Sequence, residues 1–250
     1  MIPKTIHCIW LGGKSIPVGI QENINGWLKV LPDYKVRVWT EKEIPLKQLC
    51  RKNKFLNECY KRKLWAFVSD YIRLWVLNKY GVIYLYTDVE VVNSFDPLLT
   101  TSGFIGYEAG VEKYGEYIGS GIIGSEKENK SIKKLLDFYE KDIWNEKEYV
   151  NTIIFKKLYR KDPTIFNDLK LYSRDFFSPY SPYDSKFKEL NYKTRNTYTI
   201  HWYSSNWGVS LSGYVFLTTK YEKNRLKRNI LKLKRIIGYL RKKILSRKSQ

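Results

Sequence analysis

The chain has 250 residues and carries 45 Lys and Arg against 25 Asp and Glu, a formal charge of +20, with 43% hydrophobic and 16% aromatic residues. That length suits one α/β domain with or without a small appendage, and the apolar content is too high and too evenly spread for a disordered polyelectrolyte. Three cysteines (Cys8, Cys50, Cys59) without a CxxC pair and two distant histidines (His7, His201) exclude a disulfide framework and a zinc-finger ligand set.

In chain order, Lys4–Trp10 reads as a short buried strand stopped by Gly12-Gly13 and Pro17. A helix is predicted around Ile20–Val30, a turn at Pro32-Asp33, and a half-buried strand where Lys35–Trp39 alternates polar with apolar. Leu64, Phe67, Val68, Tyr71, Ile72, Trp75 and Val76 draw a broad apolar helical face, with Gly81 as the expected stop. Val82–Leu85 is a continuous apolar run of the kind found in central strands covered on both sides. Phe104–Tyr107 and Gly121–Ile123 follow as strands, and Ser131–Lys141 and Tyr149–Tyr159 as helices. Residues 161–196 have no clear period and read as a loop-rich insert, before a late strand at Tyr198–Trp202. The alternation predicts an α/β fold with a mostly parallel sheet.

The charge is unevenly placed. Residues 220–250 hold 13 Lys and Arg and one acid, Glu222, so +12 of the +20 sits there, and residues 1–219 form the body. Leu226, Ile230, Leu233, Ile237, Leu240 and Ile244 recur at steps of four and three, which makes this tail a basic amphipathic helix. Such a helix either lies on an anionic membrane surface or packs its stripe on the body; coiled-coil pairing is a third reading. The first residues lack the flanks of a signal peptide and no stretch reaches the roughly 20 apolar residues that span a bilayer, so the expected location is cytoplasmic, peripheral on the inner face of the cell membrane.

VIYLYTDVEVV (residues 82–92) carries the strongest chemical signal. A hydrophobic strand delivers Asp88 and Glu90 at its carboxyl end, where ligands of open α/β sheets bind. The pair is either a solvated strand end or a set of hard oxygen ligands for Mg²⁺ or Mn²⁺ opposite a diphosphate. Asp70 and Arg73, three apart in the preceding helix, are either an ordinary ion pair or part of the same site. His201 to Trp207, HWYSSNW, adds an imidazole, hydroxyls and indoles.

IPKTIHCIWLGG at the start, SDYIRLWVLNKYGVIYLYTDVEVV in the middle and IHWYSSNW late in the chain resemble glycosyltransferase family 32, over roughly residues 1–210. These are bacterial capsule and lipopolysaccharide sugar transferases, related to initiating mannosyltransferases and to glucosylating toxins. The resemblance implies a GT-A fold, a nucleotide-sugar donor (UDP-sugar favoured, GDP-sugar possible), Mn²⁺ or Mg²⁺, and retention of configuration. It also implies an oligosaccharide or lipid-linked acceptor. Carried over by position, Trp10 stacks on the base, Tyr84 lines the donor pocket, and Asp70 and Arg73 hold sugar hydroxyls and developing charge. Asp88 matches the last aspartate of the DxD motif and ligates the metal, with Glu90 and His201 as further candidates. Ser205 and Trp207 close over the diphosphate, Ser205 near the metal and Trp207 on the leaving phosphate. One departure stands out: the family reads LDTDVE where this chain has Tyr86 in place of the first aspartate. A phenol with a pKa of about 10 does not replace that negative charge. Metal binding through Asp88 then survives with weaker affinity, or Glu90 compensates, or turnover is lost. Two readings of other classes remain: a sugar- or nucleotide-binding homologue weakened by Tyr86, and a basic nucleic-acid-binding protein, for which no recognition motif is found.

Overall fold

The computed structural model describes residues 1–110, 115–182, 192–204 and 209–248, with side chains up to Arg241 in the last stretch. Its strands are β1 (Thr5–Ile9), β2 (Lys35–Trp39), β3 (Ile83–Leu85), β4 (Val89–Val91), β5 (Gly103–Glu108), β6 (Tyr117–Ser125), β7 (Lys170–Tyr172) and β8 (Thr199–His201). Six of them form one sheet in the order β2-β1-β3-β6-β5-β7. The β1–β2, β1–β3 and β5–β7 pairs are parallel, and β6 runs antiparallel to both of its neighbours. The sheet is therefore mostly parallel, and the fold is α/β.

The pleat sends successive side chains to opposite faces, and each face has its own core. Ile6 and Cys8 of β1, Ile83 and Leu85 of β3 and Phe104 of β5 point to one side, where α1 (Val18–Val30) covers them with Ile24 and Trp27. Ile9, Tyr84, Ile105 and Ile123 point to the other. That side is covered by α2 (Leu46–Lys52), α3 (Lys54–Lys61), α4 (Trp65–Tyr80), α5 (Lys130–Lys141) and α6 (Asn151–Lys161). Helix α4 follows the predicted stripe and ends at Gly81, whose φ is 61°. It is more deeply embedded than the stripe suggests, because Leu74 and Leu77 are fully buried as well. Neither α2 nor α3 was predicted, nor was a helix between the late strand and the basic tail.

The described part of 161–196, read from its composition as a loop-rich insert, also holds short regular elements. It contributes β7, the outermost strand of the main sheet, with Leu171 opposite Ile105, and the short α7 (Arg174–Phe177). Tyr172, Phe176 and Phe177 belong to the second core, Phe177 lying 5.5 Å from Phe104 and Phe176 6.0 Å from Tyr198 by ring centroids. These rings pack at the sheet edge.

After α8 (Leu211–Thr219), Lys220 is buried and its ammonium donates to the carbonyls of Ile143 and Glu146. Helix α9 (Arg225–Lys248) then packs along α8, with Tyr239 5.6 Å from Tyr214. Ile236 and Tyr239 are partly covered on this side. The predicted stripe faces the other way: Leu226, Ile230, Leu233, Ile237 and Leu240 are between 43% and 76% exposed. Among the described residues no helix is long and apolar enough to cross a membrane.

Candidate active site

The segment 82–92 is not one extended strand. β3 ends at Leu85, the chain turns through Thr87-Asp88, and β4 begins at Val89 in a separate two-stranded ribbon with β8, Val89 standing opposite His201. Helix α1 fixes this turn from below: Asn23 Nδ2 donates to the carbonyls of Thr87 and Val89 (2.8 Å each) and Trp27 Nε1 to that of Val89 (2.7 Å). The pairing of β4 with β8 brings Asp88 and His201, 113 positions apart, to one point. The Asp88 carboxylate accepts from the Ser204 N–H at 3.0 Å, and its Oδ1 lies 3.5 Å from His201 Nε2. Burial works to raise its pKa, but the His201 and Ser204 contacts outweigh it and hold the carboxyl below its ordinary value.

The imidazole of His201 is enclosed. Tyr203 lies over it at a centroid distance of 3.9 Å, Tyr86 stands 5.5 Å away, and Glu108 Oε2 is 3.9 Å from Nδ1. Tyr203 reaches this position from a left-handed backbone conformation, φ 51°, which bulky residues adopt only where the surroundings enforce it. Glu108 ends β5 with its side chain inside, and burial raises its pKa.

Asp70 and Arg73 form a buried pair, Nη2 to Oδ1 2.9 Å, and Asn151 Nδ2 donates to the same carboxylate oxygen at 3.2 Å. Burial lifts the Asp70 carboxyl to about 6 against the pull of Arg73. Arg73 itself is completely buried beneath the cleft. Its guanidinium lies 4.8 Å from the Tyr84 ring and 4.5 Å from that of Tyr86, while Nε and Nη1 have no hydrogen-bond acceptor. Tyr86, where the family's shorter acid stands, is what lies over this charge. Its hydroxyl shares a 3.0 Å hydrogen bond with Ser120, and its ring lies where a Cβ on Gly121 would come within 2.7 Å of Cδ2. A glycine at 121 is thus the space that the Tyr86 ring occupies.

Two cavities adjoin at Tyr86, Phe67 and Val209. One, of about 240 Å³, is lined by Trp10, Trp65, Tyr84, Thr87 and Asp88 among others. The other, of about 440 Å³, is lined by Asp70, Glu108, Asn151, His201 and Tyr203. The fold therefore collects Trp10, Asp70, Tyr84, Tyr86, Asp88 and His201 along one cleft, with Arg73 beneath it. Glu90 is engaged elsewhere: its carboxylate accepts from Trp202 Nε1 at 3.0 Å and lies 3.7 Å from Lys193. The turn at Asp88 ends the strand on which the two acids were expected to share a side. Ser205 and Trp207 lie outside the described residues. Glu108, Ser120 and Asn151 had no sequence signal, and Tyr203 stood in the HWYSSNW segment without a role of its own.

Among the described residues no group of three or more His, Cys, Asp or Glu is arranged to hold a metal ion. The Asp88–His201 pair nevertheless fits a divalent cation that takes one carboxylate and one imidazole from the protein and its other oxygens from a bound diphosphate and water, a common arrangement for phosphate-bridging metals.

Residues 17–105, which span α1 to β5, match the family model described as the glycosyltransferase sugar-binding region containing a DXD motif. Among solved structures, the glycosyltransferase PaToxG is similar at a TM-score of 0.52 and 21% identity, over 66% of this chain and 73% of that one. The fold is that of a GT-A glycosyltransferase. A glycosyltransferase involved in glycosylating the major capsid protein of PBCV-1 matches at TM-score 0.47 and 12% identity, over 80% of this chain and 94% of that one. The galactosyltransferase LgtC matches at 0.40 and 15%, over 79% and 86%. No curated protein matches. The family-model match and the fold together support a transferase enzyme.

Proposed function

We propose that the protein is a retaining, metal-dependent hexosyltransferase of the family 32 type, taking its sugar from a nucleotide donor, UDP-sugar before GDP-sugar, and passing it to a growing surface polysaccharide. The observation that carries this reading is the meeting of Asp88 and His201 where two adjoining cavities open on one cleft.

In this reading the cavity beside Trp10 and Tyr84 takes the nucleoside, with the Trp10 indole against the base. The diphosphate lies over the turn at Asp88. Mn²⁺ or Mg²⁺ held by Asp88 and His201 supplies positive charge where the nucleoside diphosphate departs. Ser205 and Trp207 are assigned to the diphosphate by resemblance alone. The hexose enters the cavity lined by Asp70, Asn151 and Glu108, and Asp70 accepts hydrogen bonds from its hydroxyls. Arg73 acts from below: its buried charge fixes Asp70 and the Tyr84 and Tyr86 rings. The acceptor hydroxyl attacks the anomeric carbon from the face that the nucleoside diphosphate leaves, and the leaving phosphate takes the hydroxyl's proton.

The exposed stripe of α9, flanked by Lys and Arg, supports placing the protein on an anionic membrane surface, where an acceptor carried on a lipid would be presented. The test of the donor reading is metal-dependent binding of a nucleoside diphosphate that disappears in Asp88→Ala.

A further inference from the structure

The cleft contains one acid that the motif does not include and to which the donor reading gives no role beyond lining the cavity. Glu108 closes β5, buried, with its carboxylate aimed at the far side of the His201 ring from Asp88. The two carboxylates address different ring nitrogens: Asp88 Oδ1 is 3.5 Å from Nε2, and Glu108 Oε2 is 3.9 Å from Nδ1. His201 Nδ1 is buried and makes no hydrogen bond. Space for the acid is reserved by Gly119, where a Cβ would come within 3.0 Å of Glu108 Oε2. Tyr203, from its strained backbone, and Tyr86 confine the ring's faces, so the imidazole has little freedom to turn away from either carboxylate.

We propose that Glu108 is a positioning residue that receives the Nδ1–H of His201 and thereby presents the Nε2 lone pair, beside Asp88, to a divalent cation. An imidazole binds a metal through one nitrogen only when the proton sits on the other, and a carboxylate behind that proton fixes the ring and strengthens it as a donor. Asp88 alone cannot enforce this state, because it faces Nε2 and favours a proton there. Glu108 supplies the opposing pull. It also returns to the site a negative charge that Tyr86 removes, one residue away from the metal rather than on it. The inference rests on the proposed metal-dependent reading, but it concerns Glu108 alone.

The experiment is Mn²⁺ binding, with the metal alone and with UDP or GDP present, to the parent, Glu108→Ala, Glu108→Gln, His201→Ala and the Glu108→Ala/His201→Ala double variant, each checked for an unchanged melting profile. Removing an outer carboxylate of this kind lowers metal affinity by roughly 10- to 100-fold. The expected result is a loss of that size in Glu108→Ala and a smaller loss in Glu108→Gln, whose amide oxygen still accepts from Nδ1–H. In the His201→Ala background the Glu108 substitution should change affinity by less than about twofold, because Glu108 acts through the ring. A parent that binds Mn²⁺ with Glu108→Ala unchanged overturns the inference and leaves the donor reading standing. An equal loss in the His201→Ala background also overturns it, by making Glu108 a direct ligand. A parent that takes no Mn²⁺ even with either nucleotide present refutes the cation site itself, and the inference with it.

Discussion

Tyr86 is the position where this chain departs from the sequence it resembles, and the structure turns that departure into a stability measurement. Truncating a buried aromatic to alanine costs roughly 3–5 kcal/mol. Tyr86 is half-buried, which brings the apolar part to about 2–3 kcal/mol. Loss of the 3.0 Å hydrogen bond to Ser120 adds about 1 kcal/mol, and loss of the ring 4.5 Å from the buried Arg73 charge adds about 1 kcal/mol more. Tyr86→Ala should therefore lower the unfolding free energy by about 4–5 kcal/mol. Tyr86→Asp loses the same ring but places a carboxylate toward Arg73 Nε and Nη1, which have no acceptor in the parent. A hydrogen bond to a charged group contributes about 1.5–3 kcal/mol, so Tyr86→Asp should be more stable than Tyr86→Ala by that margin. Urea unfolding followed by tryptophan fluorescence at pH 7 resolves the difference. If Tyr86→Asp is no more stable than Tyr86→Ala, the placement of Tyr86 over Arg73 is wrong. The same Tyr86→Asp protein should bind Mn²⁺ more tightly than the parent, because it restores an acid at the turn.

Two further outcomes follow from the carboxyl-terminal part. Burial drops the Lys220 pKa from 10.5 to about 8, so between those values the unfolded chain holds a proton that the folded one has released. Stability should then rise as pH increases from about 8 to about 10.5, by about 3 kcal/mol, and the rise should be absent in Lys220→Met; a pH-independent difference between the two proteins would contradict the burial of this ammonium. Replacing Leu226, Ile230, Leu233, Ile237 and Leu240 by Gln leaves the charges and the face toward α8 in place. The parent should sediment with anionic vesicles and the variant should not, with both folded alike; equal sedimentation would remove the apolar stripe from the account.

The legible parts of the sequence were those with a long period. Helix α4 announced itself by seven apolar residues at helical spacing and a glycine stop, and β1, β2 and β3 by short apolar or alternating runs. β7 was illegible because Lys170-Leu171-Tyr172 is too short to show alternation and gains its place only by pairing with β5. The break at Thr87-Asp88 carries no Gly or Pro, so residues 82–92 read as one strand and Glu90 was grouped with Asp88. Only the long-range pairing of β4 with β8 shows that His201 is the partner of Asp88. Arg73 was recognised as part of the site by resemblance, but its spacing could not reveal that Tyr86 covers it. Glu108 is a single acid at a strand end, with no spacing or motif to mark it. In α9 the apolar stripe among basic residues favoured a membrane-facing surface over a packing face, and the partial burial of Ile236 and Tyr239 on the α8 side leaves that stripe pointing outward.

The central claim is that Asp88 and its cleft bind a nucleotide donor through a divalent cation. Calorimetric titration of UDP and of GDP, each with and without Mn²⁺, into the parent and into Asp88→Ala tests it most directly. The account predicts that one nucleotide binds the parent only with Mn²⁺ present and that Asp88→Ala abolishes this binding. Metal-independent binding that persists in Asp88→Ala, or no binding of either nucleotide, would contradict it.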